Sequence, residues 1–319
     1  EGKNLCFAGH IDVVPAGDLS LWDSDPFLLK IMDERIFGRG VVDMKGAVAA
    51  MLKAAIDYSK SHKGKVSILL TSDEEGSAKF GTKEMLKWIE NNGHKIDFAI
   101  VGEPTSSKKF GDTIKLGRRG SINFDLKING RQGHAAYPEL AINPNKIIVE
   151  ILHKLNNLKL DEGNEFFQPS NLEITSIDTS NLVRNLIPSA AAAKFNIRFN
   201  NIHTKDSIIS KIKELIEEFW SDYELEYSCS AEAFLSSKTE FTEDFRAVVQ
   251  NVTGQPVEFS TSGGTSDARF IRLYSPVLEF GLLNQTAHKV NENTEITHLQ
   301  NLYTVYYMAI ESFHNALKP

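Results

Sequence analysis

The first third of the chain switches repeatedly between two periods of hydrophobicity, and that alternation restricts its fold more than any other feature. "NLCFAGH" is a short apolar run and predicts a strand, whereas "MKGAVAAMLKAAIDYSK" spaces its apolar residues three and four apart and predicts an amphipathic helix. "KVSILLTS" returns to a strand, "KEMLKWIENNG" to a helix stopped by Gly93, and "DFAIVGEP" to a strand stopped by Pro104. Strands alternating with helices predict a largely parallel sheet with helices on its faces. In such sheets ligands gather beyond the carboxyl ends of the strands.

From about Gly120 the pattern changes. "SINFDLKINGRQGH" alternates apolar and polar residues, then come a helix near "NPNKIIVEILHKLNNL", strands near "NLEITSID" and "AAAAKFNIRFN", a helix "KDSIISKIKELIEEFW" and a strand "YELEYSCSAE". This predicts a two-layer α+β domain inserted at residues 120–232. Afterwards "EDFRAVVQNVTG", short strands near "PVEFS" and "PVLEFG", and the amphipathic "ITHLQNLYTVYYMAIESFHNAL" resume the first pattern. A catalytic layer of mixed α/β class, split into 1–119 and 233–319, is the expected architecture.

Composition narrows the function. The 319 residues suffice for about two domains, and a net charge of -7 without a basic, aromatic-interleaved patch excludes nucleic acid as the main partner. No run of about 18 apolar residues predicts a membrane span. Cys6 and Cys229 form neither a disulfide framework nor a zinc knuckle, so a reducing cytoplasm is expected. The chain opens on Glu1 and enters a strand almost at once, which raises the expectation of a missing earlier segment and an uncovered sheet edge.

The run "TSDEEG" sets Asp73, Glu74 and Glu75 side by side where a strand ends. Like charges repel there, and loss of water makes each costlier, so something positive is expected nearby. His10 and Asp12, two apart on an extended backbone, point to one side and suit a metal ligand with its orienting carboxylate. Each candidate has a plainer reading alone: a polar strand end for that pair, a helix cap for Asp43, a loop histidine for His288. Glu103, closing a very apolar strand, needs a partner if buried. Together, His10, Asp43, Glu75, Glu103 and His288 all fall at strand ends or in the following loops, where one sheet rim can collect them. Two imidazoles and three carboxylates suit two divalent ions about 3.5–4 Å apart with one carboxylate bridging. Spacing leaves open which ligand serves which ion. "SGGTSD" lacks the lysine and spacing of a phosphate-binding P-loop.

The motifs "GHIDVVP", "GRGVVDMKG", "TSDEEG", "VGEPT", "GRRGS", "GHAAYP", "SGGTSDARF" and "AHKVNE", in this order, resemble the dinuclear zinc aminoacylase and carboxypeptidase M20 family over nearly the whole chain. The resemblance implies two zinc ions per subunit, with cobalt able to substitute: His10 and Glu103 on one, Glu75 and His288 on the other, and Asp43 bridging. It implies Asp12 as the orienter of His10, Glu74 as general base, and His134 as an oxyanion donor reaching in from a second subunit's inserted domain, which makes a homodimer the active form. Arg118, Ser121, Tyr137, Asn185, Arg198, Gly264 and Thr265 resemble the positions that hold an anionic acylated amino acid. Arg119 is expected to serve structure, Asp73 either to support the ligands from behind or to form a turn, and Gly76 the sharp bend that lets Glu74 and Glu75 face one site. The chain departs from the family pattern at Ala268, where glycine is usual, and in the loop "GLLNQTAH".

Overall fold

The structure, a computed structural model, describes residues 2–61, 64–76 and 78–315. The chain forms two compact units: residues through Gly117 with Leu235–Thr261 and those from Ser266 on, and Arg118–Phe234 with Ser262–Thr265. The insertion expected at 120–232 thus divides instead after Gly117 and after Phe234, and it takes Ser262–Thr265 with it. Both boundaries fall within two-residue strands, Gly117–Arg118 and Phe234–Leu235, where no change of periodicity marks the break.

The first unit is built on a six-stranded sheet in the order Glu258–Ser260, Thr113–Lys115, Val277–Glu279, Phe98–Val101, Asn4–His10, Lys65–Thr71. All pairings are parallel except that of Val277–Glu279 with Thr113–Lys115. The Thr113–Lys115 strand is too short to carry a readable period, so the sequence does not say where in the mixed, largely parallel sheet the antiparallel junction falls. Asn4–His10 and Phe98–Val101 are buried almost throughout and read as continuous apolar runs, as strands with both faces covered must. Helices Lys45–Tyr58 and Ile296–Asn315 pack together and contribute Met51, Ala54, Leu302, Tyr306 and Ile310 to a core shared with Phe7 and Ile100. Helix Glu240–Thr253 starts three residues earlier than its apolar pattern, because Thr239 and Thr242 form a reciprocal capping box.

Parallel pairing decides where the chemistry gathers. His10 registers with Thr71, and Ala8 with Val101, so the residues after all three strands emerge at one rim. Gly9 and Gly102 precede His10 and Glu103 on adjacent strands, and a Cβ at either would lie 2.5 Å or 2.8 Å from the Met44 methyl. The two glycines admit buried Met44, and with it the neighbouring Asp43, directly over the strand ends.

The second unit is an antiparallel sheet in the order Asn171–Asp178, Ala190–Phe199, Gly120–Asn129, Tyr223–Ala231, with helices Pro144–Asn156 and Lys205–Glu217 packed on it. Strand Gly120–Asn129 alternates buried and exposed residues from Ile122 on, the signature of a sheet covered on one face. Ile122, Phe124, Leu126 and Ile128 meet Ile148, Ile151, Ile208 and Ile212 of the helices. Among the described residues no helix is long and apolar enough to cross a membrane.

Candidate metal centre

Five side chains from five separate segments meet at the rim of the six-stranded sheet. His10, Asp43 and Glu103 form one group, and Asp43, Glu75 and His288 a second, each with its ligand atoms within 4.8 Å of one another. Asp43 is common to both. Its Oδ1 lies 3.1 Å from His10 Nε2 and its Oδ2 3.1 Å from His288 Nε2, so the two carboxylate oxygens face opposite groups. His288 Nε2 is also 2.9 Å from Glu75 Oε1, and His10 Nε2 is 3.9 Å from Glu103 Oε1. His10 and Glu103 are buried, whereas the His288 side chain is half exposed.

The acids set the charge of the histidines. Burial opposes a charged His10, but the hydrogen bond to Asp43 and the charges of Asp43 and Glu74 push its pKa up to about 9. Hydrogen bonds to Asp43 and Glu75 push His288 up to about 10 against partial burial. Burial would raise the Asp43 carboxyl, yet its bonds to both histidines hold it well below the usual carboxylate range. The donor set fits divalent cations: the carboxylates are gathered around the two imidazole nitrogens as they would be around ions, and Asp43 offers one oxygen to each group. Glu74 is in neither group. Burial, reinforced by Asp267 and Glu75 and opposed by His10 and Arg269, lifts its pKa to about 7, a value suited to taking up and returning a proton near neutrality.

Residues 6–312 match the model of the family described as peptidase family M20/M25/M40. The chain belongs to that family. It is 57% identical over 310 residues to a succinyl-diaminopimelate desuccinylase of Orientia tsutsugamushi (strain Boryong), covering 96% of this chain and 80% of that protein. It is 53% identical over 312 residues to the enzyme of the same name from Rickettsia bellii (strain RML369-C), covering 95% and 80%. Two solved M20 structures share the fold at low identity. The metallo-carboxypeptidase Sso-CP2 of Sulfolobus solfataricus superposes with a TM-score of 0.77 at 17% identity, covering 98% of this chain and 85% of its own. YXEP of Bacillus subtilis, titled a dinuclear metal binding peptidase, does so with a TM-score of 0.68 at 15% identity, covering 98% and 82%.

Several expectations need correction in this M20 chain. Asp12 meets His10 mainly through its backbone rather than through its carboxylate. His10 Nδ1 lies 2.9 Å from the Asp12 main-chain carbonyl and 3.7 Å from Oδ1. Asp12 Oδ2 instead accepts from the amides of Glu74 and Glu75, both at 3.0 Å, and so ties the strand carrying His10 to the loop carrying the acids. The bend in that loop puts Ala78, not Gly76, in the left-handed region, with φ 51°. The plainer reading of Asp43 as a helix cap falls away, since the following helix starts after Met44 without a side-chain cap.

One residue escaped the sequence reading altogether. Glu292, fully buried, accepts from Arg39 Nη1 at 2.7 Å and from the amides of Gly40, Val42 and Asp43 at 2.9, 2.8 and 3.1 Å. It fixes the backbone that presents Asp43. Its only sequence signal was an acid four residues beyond His288, inside the "AHKVNE" motif.

The remaining candidates lie in the second unit, in two places. Gly133–His134 pairs with Leu186–Ile187, and on this ribbon His134 stands 5.6 Å from Tyr137 ring to ring, while the Asn185 carbonyl accepts from Ala135 N at 2.9 Å. His134 Nδ1 accepts from the Ala136 amide at 3.0 Å, so a neutral imidazole carries its proton on Nε2 and presents a donor. Elsewhere Ser121 and Arg198 are cross-strand partners, Asn196 bonds to both, and Arg118 Nη1 donates to the Ser262 carbonyl at 3.4 Å, beside exposed Gly264 and half-buried Thr265. Arg119 donates to Asn171 Oδ1 at 2.7 Å.

Proposed function

We propose that this M20 chain is a dizinc amidohydrolase that hydrolyses N-succinyl-LL-2,6-diaminopimelate to succinate and LL-2,6-diaminopimelate, as the names of its relatives describe. The observation that carries the reading is a sequence 57% identical to a named desuccinylase together with five metal-type ligands at one sheet rim. His10 and Glu103 would hold one zinc, Glu75 and His288 the other, and Asp43 both; cobalt is a chemically similar substitute. Bound there, the ions would polarise the amide carbonyl and make water acidic enough to lose a proton near neutral pH.

The chain's own residues do the rest. Glu74 takes the proton of the attacking water and returns it to the departing amine, for which a carboxyl pKa near 7 is matched. His134 donates from Nε2 to the oxygen that gains charge as the tetrahedral centre forms. In this reading it acts across a homodimer formed through the inserted unit. Arg118, Ser121, Tyr137, Asn185, Arg198, Gly264 and Thr265 hold the substrate, with the guanidinium forks on its carboxylates. Two free cysteines and an anionic small-molecule substrate fit a reducing bacterial cytoplasm.

Turnover of succinyl-diaminopimelate against acetylornithine by zinc-loaded protein, with a chelated control, tests the reading. Hydrolysis of the succinyl amide should dominate and vanish on chelation. Dominant hydrolysis of acetylornithine would make the chain a deacetylase of the same family, and absence of both activities would end the enzymatic reading. Replacing Glu74 with Ala should lower kcat by about 10²–10⁴-fold with metal content retained.

A further inference from the structure

Of the three adjacent acids after strand Lys65–Thr71, Asp73 belongs to neither ligand group. Its carboxylate turns back along the chain. Oδ1 accepts from the amide of Ala78 at 3.2 Å, and Oδ2 from those of Lys79 and Phe80 at 2.7 and 3.0 Å. Its own amide donates to Thr71 Oγ1 at 3.2 Å. One side chain therefore closes the loop it begins, by hydrogen bonds to an ionised acceptor that are stronger than neutral ones.

The same segment is tied at both ends by other acids. Asp12 Oδ2 holds the amides of Glu74 and Glu75. Buried Thr82, first residue of the next helix, donates to Asp267 Oδ2 at 2.6 Å. Between these ties Ala78 keeps a left-handed conformation, φ 51°, that a residue with a Cβ holds only where its surroundings impose it. The Ala78 amide is one of the three that Asp73 binds.

Glu75 and Glu74 depend on this loop unequally. The Glu75 carboxylate is also held by His288 at 2.9 Å, whereas among the described residues the Glu74 carboxylate accepts no hydrogen bond. Its position follows from its backbone. We propose that Asp73 is a positioning residue for the proton carrier: it shapes the 73–80 loop so that the Glu74 carboxylate meets the reacting water and amide, and it touches neither metal nor substrate. This rests on the amidohydrolase reading above.

The test compares Asp73→Ala and Asp73→Asn with the unaltered and Glu74→Ala proteins, all zinc-loaded, on succinyl-diaminopimelate, with metal content measured in parallel. A misplacement of about 1 Å costs up to roughly 10²-fold, so Asp73→Ala should lose about 10–100-fold in kcat with KM and metal content little changed. Asp73→Asn keeps one acceptor oxygen and should fall between, a graded rescue that a merely structural role would not produce. A kcat for either variant within about twofold of the unaltered enzyme, beside an inactive Glu74→Ala, would overturn the inference and leave the amidohydrolase reading standing. Parallel loss of metal and kcat would overturn it too, by making Asp73 part of the metal-holding frame. An unaltered protein that turns nothing over would remove the amidohydrolase reading and the inference with it.

Discussion

At the carboxyl end of the six-stranded sheet, His10 and His288 lie against Asp43 and Glu75, and their pKa values rise to about 9 and 10. At the amino end of the same sheet, His314 is buried, its Nε2 3.2 Å from the carbonyls of both Lys3 and Lys65, and burial moves its pKa below the ordinary value of 6.5. Without metal, one residue type is thus pushed toward the charged form at one end of the strands and toward the neutral form at the other. The difference follows from what each end can assemble. After parallel strands, the connecting loops leave the sheet together, and acids on separate loops can converge there. Where the strands begin, His314 meets main-chain carbonyls and the stacked ring of Tyr58, with no carboxylate among the partners the structure gives it.

A second contrast lies within the rim itself. Glu292 is a buried carboxylate that the chain satisfies completely, with a guanidinium and three amides. The carboxylates of Asp43 and Glu75 instead face the imidazole Nε2 atoms of His10 and His288, contacts that added cations would replace. The first arrangement holds a loop in place, and the second is the one that the proposed function assigns to metal.

The largest expected effect comes from removing the shared acid. Asp43→Ala should empty both ligand groups, abolishing hydrolysis and costing more than the roughly 10–100-fold in metal affinity that loss of an outer partner costs. Metal stoichiometry after dialysis measures it, and retention of one ion would show that the groups are separable. Next, Glu292→Gln strands the Arg39 charge in a site where the two side chains are 3% and 0% exposed. About 3–5 kcal/mol of stability should be lost, read by denaturant unfolding. An unchanged midpoint would erase the distinction between the two kinds of buried acid.

The smallest effect concerns the amino end. Because folding lowers the His314 pKa below 6.5, the folded state resists a proton that the unfolded chain accepts. Stability from this group is therefore present above pH 6.5 and declines as pH falls through it. His10, His288 and Glu74, whose pKa values are raised, slope the other way in the metal-free protein, so the group is read by difference: the stability of the unaltered chain minus that of His314→Gln should fall as pH drops from 7.5 to 5.5. A difference that stays flat or grows would mean that the two ends of the sheet do not treat histidine differently.

The strand and helix pattern of the catalytic layer was legible because buried parallel strands and amphipathic helices carry strong periods. Asn4–His10 and Lys65–Thr71 fall where their apolar runs predict them. Short elements such as Thr113–Lys115 and the boundary strands at Gly117 and Phe234 were not legible, since two or three residues cannot express a period.

The sequence by itself determined the family, and it named His10, Asp43, Glu75, Glu103 and His288 as residues at the ends of elements that one sheet rim could collect. The tertiary structure alone decided how they are held. That Asp43 divides its two oxygens between two histidines, that Asp12 serves amides rather than an imidazole, and that Glu292 carries the Asp43 loop all depend on contacts between segments up to some 250 residues apart. Hydrogen bonds are made by direction and distance within a few ångströms, and a linear order of residues specifies which groups exist but not which way each one turns.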